Sequence, residues 1–144
     1  MLRRSSYAKV CRSTSALANM KRDLDLVRKI LIYFEEKEDD QMERDVELEG
    51  YESNLINYHL LIMDEAGLLR CERSYSKATP GRVIKVYPFS LTWKGHEFLS
   101  TAKNEGLWSK AKSISMKQAG VLSFELLKEL LVSLAKDAAG IPNG

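Results

Sequence analysis

Residues 54–69, NLINYHLLIMDEAGLL, constrain the fold of this chain more than any other segment. Their apolar residues recur at the spacing of one helix face, and Gly67 supplies the left-handed residue with which helices commonly end. Leu68 and Leu69 then continue directly as a strand. Further along, LTWKGHEFL at residues 91–99 ends a second strand, and its Thr92 is suited to cap another helix. The two segments predict helix, strand, turn, strand and helix in direct succession.

This succession predicts an α+β fold, in which a helical scaffold carries a β-hairpin as in the winged-helix domains of bacterial regulators. Alternating residues predict the hairpin strands at 69–75 and 82–91, with the turn at 77–81. We assign residues 20–104 to a winged-helix-like domain and residues 105–144 to C-terminal helices packed on it. Residues 1–19, which hold four basic and no acidic side chains, are interpreted as a disordered basic extension.

The segment before the central helix departs from ordinary winged-helix regulators. A first helix is predicted to begin near Met20 and to end in the charged run after Phe34. The acidic stretch from Glu35 to Glu49 predicts a solvated loop with a short strand at Val46 and Leu48. Regulators of this class normally carry a second helix in the segment that corresponds to the residues between Phe34 and Ser53. In this chain that segment has too few apolar residues to form an amphipathic helix. The supporting helix of a helix-turn-helix is therefore expected to be absent.

Charge is divided unevenly along the chain. Residues 20–69 hold 6 basic and 14 acidic groups, whereas residues 70–144 hold 12 basic and 6 acidic groups. Any electrostatic surface for nucleic acid must therefore lie after Leu69.

The outward face of the central helix is a candidate DNA-reading surface without a basic residue. Asn54 and Asn57 could pair with adenine edges and Tyr58 could reach a phosphate, whereas Asp64 and Glu65 would repel the backbone. His59 lies on the apolar face, with no second ligand one turn away, and is predicted to be a buried, hydrogen-bonded core residue.

The hairpin is the more favourable candidate because it is basic. Its cations could contact a phosphate backbone without sequence choice, although scattered lysines also serve solubility alone. Cations pointing to opposite sides of the molecule would instead favour a protein-binding role. The candidate nucleic-acid contacts here are Arg70, Arg73, Lys77, Arg82 and Lys85.

The last helix follows Ser123, a plausible N-cap, and carries more leucine than a surface helix requires. Burial within the monomer explains this pattern, and so does a homodimer contact. The candidate dimer-interface residues are Leu126, Leu130 and Val132.

Several functional classes find no support in the sequence. Cys11 and Cys71 lie in no metal-binding or redox motif, which favours free thiols and a cytoplasmic location. No apolar run is long enough for a membrane span. No phosphate-binding glycine loop, histidine pair or nucleophile motif is present, and His96 is an isolated polar residue. We therefore expect no enzyme, cofactor, metal or small-molecule ligand.

Five segments together resemble the bacterial and prophage family called domain of unknown function 2513. They are MKRDLDLVRKIL, ELEGY, NYHLLIMDEAGLL, LTWKGHEFL and LWSKAK, in this order from residue 20 to residue 112. The resemblance covers residues 20–135 and implies a small winged-helix-like protein, often encoded in phage or mobile elements, with Met20 as its natural start. It brings no catalytic residues.

Two functional hypotheses remain open. One is a DNA-binding regulator of a phage or mobile element, and the other is an adaptor that binds a protein partner, or a second copy, without binding DNA. The adaptor would use the acidic N-terminal half or the leucine-rich last helix.

Overall fold

The computed structural model describes residues 20–141, and within this range the chain forms five helices and one antiparallel hairpin. The predicted α+β class, a helical scaffold with a hairpin wing, is confirmed. The basic segment 1–19 lies outside the described residues. The elements are α1 (Leu24–Glu35), α2 (Ser53–Glu65), β1 (Leu69–Tyr75), β2 (Val83–Leu91), α3 (Trp93–Ala102), α4 (Glu105–Ala119) and α5 (Phe124–Ala138).

The first helix begins at Leu24, so the predicted start at Met20 is wrong. The carboxylate of Asp23 accepts hydrogen bonds from the backbone N–H groups of Asp25 and Leu26, at 2.9 and 3.2 Å, and this caps the helix. Met20 is 64% exposed and does not join the core. The apolar spacing extends about one turn upstream of Asp23, the residue that caps the start of the helix.

His59 on α2 secures the same helix start. Its side chain is fully buried, and its Nε2 atom accepts the backbone N–H of Asp23 at 2.7 Å. Its Nδ1–H donates to the carbonyl oxygen of Leu55 at 2.9 Å, one turn earlier in α2. The prediction of a buried, hydrogen-bonded core histidine is confirmed.

Residues 36–52 contain no helix, as expected, but the predicted strand at Val46 and Leu48 is wrong. This segment runs beside β2, where the N–H of Glu43 donates to the carbonyl oxygen of Pro88 at 2.9 Å. The Lys37 ammonium donates to the neighbouring carbonyl oxygen of Phe89 at 3.1 Å. Val46 is buried, so the apolar alternation there reflects burial without a strand ladder.

The turn from α2 into β1 is fixed by Gly67, which has φ of +79°. Its N–H donates to the Asp64 carbonyl, and the next N–H, of Leu68, donates to the Met63 carbonyl; together these bonds close the helix end. Thr92 then joins α3 to this turn, because its hydroxyl donates to the Gly67 carbonyl and accepts the N–H of Gly95. The predicted cap at Thr92 and stop at Gly67 are confirmed.

One hydrophobic core is shared by all seven elements. Leu26 and Leu31 of α1 meet Leu60 of α2 and Leu99 of α3, and each of these side chains is at most 2% exposed. The C-terminal helices join the same core through Trp108 and Ala111 of α4 and through Leu127 and Leu131 of α5. Each of the helices formed by residues 20–141 is too short or too polar to span a lipid bilayer.

Candidate interaction site

The exposed side of α2 carries the predicted base-reading residues. Asn54 is exposed, Asn57 and Tyr58 are half-buried, and within residues 20–141 neither asparagine side chain has a hydrogen-bond partner. Tyr58 also lines a cavity of about 580 Å³ between α2 and the starts of α1 and α5. The three residues lie on neighbouring turns and remain accessible, but no basic side chain accompanies them on the helix.

The hairpin register divides the predicted backbone-binding cations between its two faces. Arg73 is opposite Val86, on the face that also carries Leu69 and turns toward the helices. Arg70 and Lys85 lie on the other face, because they are opposite Ser90 and Ser74. Lys77 and Arg82 belong to the turn between the strands and are exposed. The structure therefore does not bring the five cations together on one side.

Two of these cations are paired with carboxylates. Arg73 Nε donates to Asp64 Oδ2 at 2.8 Å and its Nη2 donates to Oδ1 at 3.3 Å, and this hydrogen bonding raises the pKa of Arg73. Lys85 Nζ is 3.6 Å from an Asp45 carboxylate oxygen and 5.1 Å from the Tyr87 ring centroid. Acidic groups thus reduce the positive potential on both hairpin faces, while Asp64 itself is no longer a free charge on α2.

Cys71 lies on the helix-facing side of β1, next to Arg73 along that face. Burial and, to a smaller extent, the neighbouring Asp64 carboxylate together raise its pKa to about 12. At neutral pH the thiol is therefore protonated and a poor nucleophile. Cys11, the second predicted free thiol, lies outside the described residues.

The three predicted dimer residues do not share one face of α5. Leu130 packs against the core, and Leu126 lies one turn before it. Val132 is 39% exposed and lines a small depression on the side of α5 that faces α3. Two residues of helix rotate the side-chain direction by roughly 200°, so Val132 and Leu130 point away from each other. A dimer contact through all three residues would need two surfaces, and the dimer stays a prediction.

A different surface, the α1–α2 cleft, lies between α1 and residues 47–53 at the entry to α2. It consists of two adjoining depressions, of about 310 and 460 Å³, which share Leu48 and Glu49 as a common wall. This is the stretch of chain in which winged-helix regulators normally carry the second helix. The first depression is completed by Lys29, Ile32, Tyr33 and Glu36, and the second by Glu47, Tyr51, Ser53 and Ile56.

The walls of the cleft are held by polar contacts. The Tyr33 hydroxyl donates to Glu43 Oε1 at 2.7 Å, and this bond raises the pKa of Tyr33 to about 12. The Lys29 ammonium lies 5.7 Å from the centroid of the Tyr51 ring, and burial raises the pKa of Tyr51. Leu48 and Tyr51 are half-buried against the core. Apolar surface is therefore preformed in the first depression although no second helix supports it, whereas the surface of the second depression is more polar than apolar.

The rim of the cleft is acidic. Glu36, Glu47, Glu49 and Glu52 are exposed, and none of them forms a salt bridge within the described chain. Residues 35–52 as a whole hold ten acidic and two basic side chains. The sequence contained one signal for this site, the missing second helix, but not the side chains that line it.

No group of three His, Cys, Asp or Glu side chains arranged to hold a metal ion occurs between residues 20 and 141.

A family model described as "Hypothetical protein (DUF2513)" matches residues 21–121. A protein of Haemophilus influenzae, named "Uncharacterized protein", is 29% identical over 112 residues, which cover 77% of this chain and 92% of the relative. No solved structure matches the chain.

Proposed function

The chain belongs to the DUF2513 family, and we propose from its geometry that it is an adaptor that binds a protein partner in the α1–α2 cleft. The single observation that carries this proposal is the preformed apolar surface of the first depression, which lies between Ile32 and Tyr33 of α1 and the half-buried Leu48. Apolar surface that no element of a domain covers commonly marks a binding site.

The distribution of charge supports a protein partner over a nucleic acid. The hairpin cations are split between two faces, and Arg73 and Lys85 face Asp64 and Asp45. Phosphate binding depends on several cations that reach one backbone together, because each releases condensed counterions. The acidic segment beside β2 would repel that backbone.

Photo-crosslinking at the cleft tests this function. Benzoylphenylalanine in place of Glu49, which is exposed on the cleft rim, should form a discrete adduct with a partner protein in the native cells. The matched control is the same amino acid in place of Glu129, an exposed residue of α5 remote in sequence from the cleft. Equal adducts from both positions, or none from position 49, would contradict the proposal.

A second candidate function is that of a DNA-associated regulator of a phage or mobile element. It is favoured by one observation: Asp64 is neutralised by Arg73, so Asn54 and Asn57 lie on a helix face with less negative charge than the sequence indicates. The exposed turn cations, Lys77 and Arg82, would then contact phosphates on either side of the bases that α2 reads.

This candidate predicts weak binding with a shallow salt dependence. Two phosphate contacts correspond to a slope of about −2 in log affinity against log salt. Fluorescence anisotropy of a labelled DNA duplex should give this slope, and Lys77→Gln with Arg82→Gln should abolish the binding. Lys128→Gln, on α5, is the matched control. Absence of binding at low salt would eliminate the candidate.

A further inference from the structure

We propose that the α1–α2 cleft takes a basic amphipathic α-helix of the partner protein. This inference rests on the proposed adaptor function and specifies the chemistry of the partner. It follows from three features of the cleft: the arrangement of its two depressions, the charge of its rim, and the hydrogen bonds at the neighbouring sheet edge.

The two depressions share a wall, so neighbouring side chains of one helix could reach both of them. They adjoin each other at Leu48, with Ile32 and Tyr33 of α1 on one side and Tyr51 and Ile56 on the other. Residues three or four apart on a helix have Cβ atoms about 5–6 Å apart and point in the same direction. An apolar side chain of a helix can therefore enter the first depression, beside Ile32 and Leu48, while a basic side chain on the next turn enters the second depression, whose surface is more polar than apolar and which Glu47 lines.

The rim selects the charge of that helix. Glu36 lies on the α1 side of the cleft, Glu47 on the α2 side, and Glu49 on the wall between the two depressions. The Lys29 ammonium is directed over the Tyr51 ring. Lysine or arginine residues flanking the apolar stripe would meet these carboxylates, whereas an acidic helix would be repelled.

A partner strand is disfavoured at the neighbouring edge of the hairpin. The carbonyl of Pro88 already accepts the N–H of Glu43, and the carbonyl of Phe89 accepts the Lys37 ammonium. Pro88 also has no N–H to donate. Because the backbone groups of this stretch are already used, addition of a strand would have to break existing bonds.

Binding of a model peptide to the full chain tests the inference. The probe is a fluorescein-labelled helix of about 18 residues, long enough to be helical, with leucines on one face and lysines elsewhere. Its anisotropy should rise on titration with the protein, and the affinity should fall between roughly 50 and 300 mM salt. Glu36→Lys combined with Glu49→Lys should weaken binding about tenfold, since two attractive contacts become repulsive. Glu129→Lys should leave the affinity unchanged.

Two control peptides separate shape from charge. The same peptide with glutamate in place of lysine, and a peptide of the same composition without an apolar face, should both fail to bind. Equal binding of the scrambled peptide, or no effect of the double reversal, would overturn the inference. A crosslinked partner at residue 49 without peptide binding would overturn the basic helix and leave the adaptor function standing.

The basic residues 1–19 provide a competing occupant. If the peptide binds only after Arg3, Arg4, Lys9 and Arg12 are all changed to glutamine, the chain's own segment fills the cleft and the partner helix is refuted. Equal binding before and after this change supports the partner.

Discussion

Replacing His59 with alanine is expected to lower the free energy of unfolding by about 3–5 kcal/mol. The imidazole is fully buried and joins the start of α1 to the second turn of α2, through Asp23 and Leu55. Its removal opens a cavity and leaves the Asp23 N–H without its acceptor. Urea denaturation followed by the fluorescence of the buried Trp108 would measure the loss.

A second variant separates the effect of the cavity from that of the lost hydrogen bond, and a third is a control. His59→Phe fills most of the volume but supplies no acceptor, so it should still lose about 1–3 kcal/mol. His96→Ala is the matched control, because the His96 side chain is exposed and has no polar contact among the described residues. An unchanged denaturation midpoint in His59→Ala would show that the buried imidazole does not support the fold.

Replacing Gly95 with alanine is expected to destabilise the fold by about 3 kcal/mol, although alanine ordinarily favours a helix over glycine. A Cβ atom at this position would lie 2.3 Å from the Leu68 carbonyl oxygen and 3.4 Å from the Leu91 side chain. The backbone cannot yield without moving α3 away from the turn that joins α2 to β1. The same denaturation measurement would detect the loss.

Gly106→Ala is the control for this prediction. Its added Cβ would approach only the Asn104 side chain, at 3.3 Å, so the effect should stay within about 1 kcal/mol in either direction. Equal stability of the Gly95 and Gly106 variants would contradict the close packing of α3 on Leu68.

Local pattern predicted most of the fold. Gly67, Thr92 and Ser123 determine where helices end or begin through bonds to their own neighbours, so the sequence alone indicates them. The predicted start of α1 is wrong because the apolar spacing continues upstream of the Asp23 cap, and the N–H of Asp23 also donates to His59, a contact 36 residues away that no local pattern indicates. The predicted strand at Val46 is wrong because the alternation of apolar residues indicates which side chains are buried. A strand would also need free backbone groups on β2 with which to pair.

The candidate site was less predictable, because it depends on contacts between distant segments. The sequence shows that Arg73 and Lys85 are basic, but not that Asp64 and Asp45 neutralise them or that the hairpin divides them between faces.

A contact between the first and fourth helices is equally hidden from the sequence. Trp108 and Lys112 of α4 both donate to Asp25 of α1, at 2.7 Å each. Burial raises the pKa of Asp25, and these two bonds lower it more, so the net shift is downward. No local spacing reveals such pairs.

The absence of a second helix was visible in the sequence, but its consequence was not. Residues 36–52 were expected to be a solvated acidic loop. In the structure Leu48 and Tyr51 pack against the core from this loop and leave apolar surface beside α1. The α1–α2 cleft is therefore a better candidate binding surface than the hairpin, which the sequence favours.

The central claim is that this cleft binds a helix of another protein, and sequencing of the adduct formed at residue 49 by mass spectrometry tests it most directly. We expect a partner segment with apolar residues three and four apart and lysines or arginines between them. An adduct to nucleic acid, or to an acidic or non-helical segment, would contradict it.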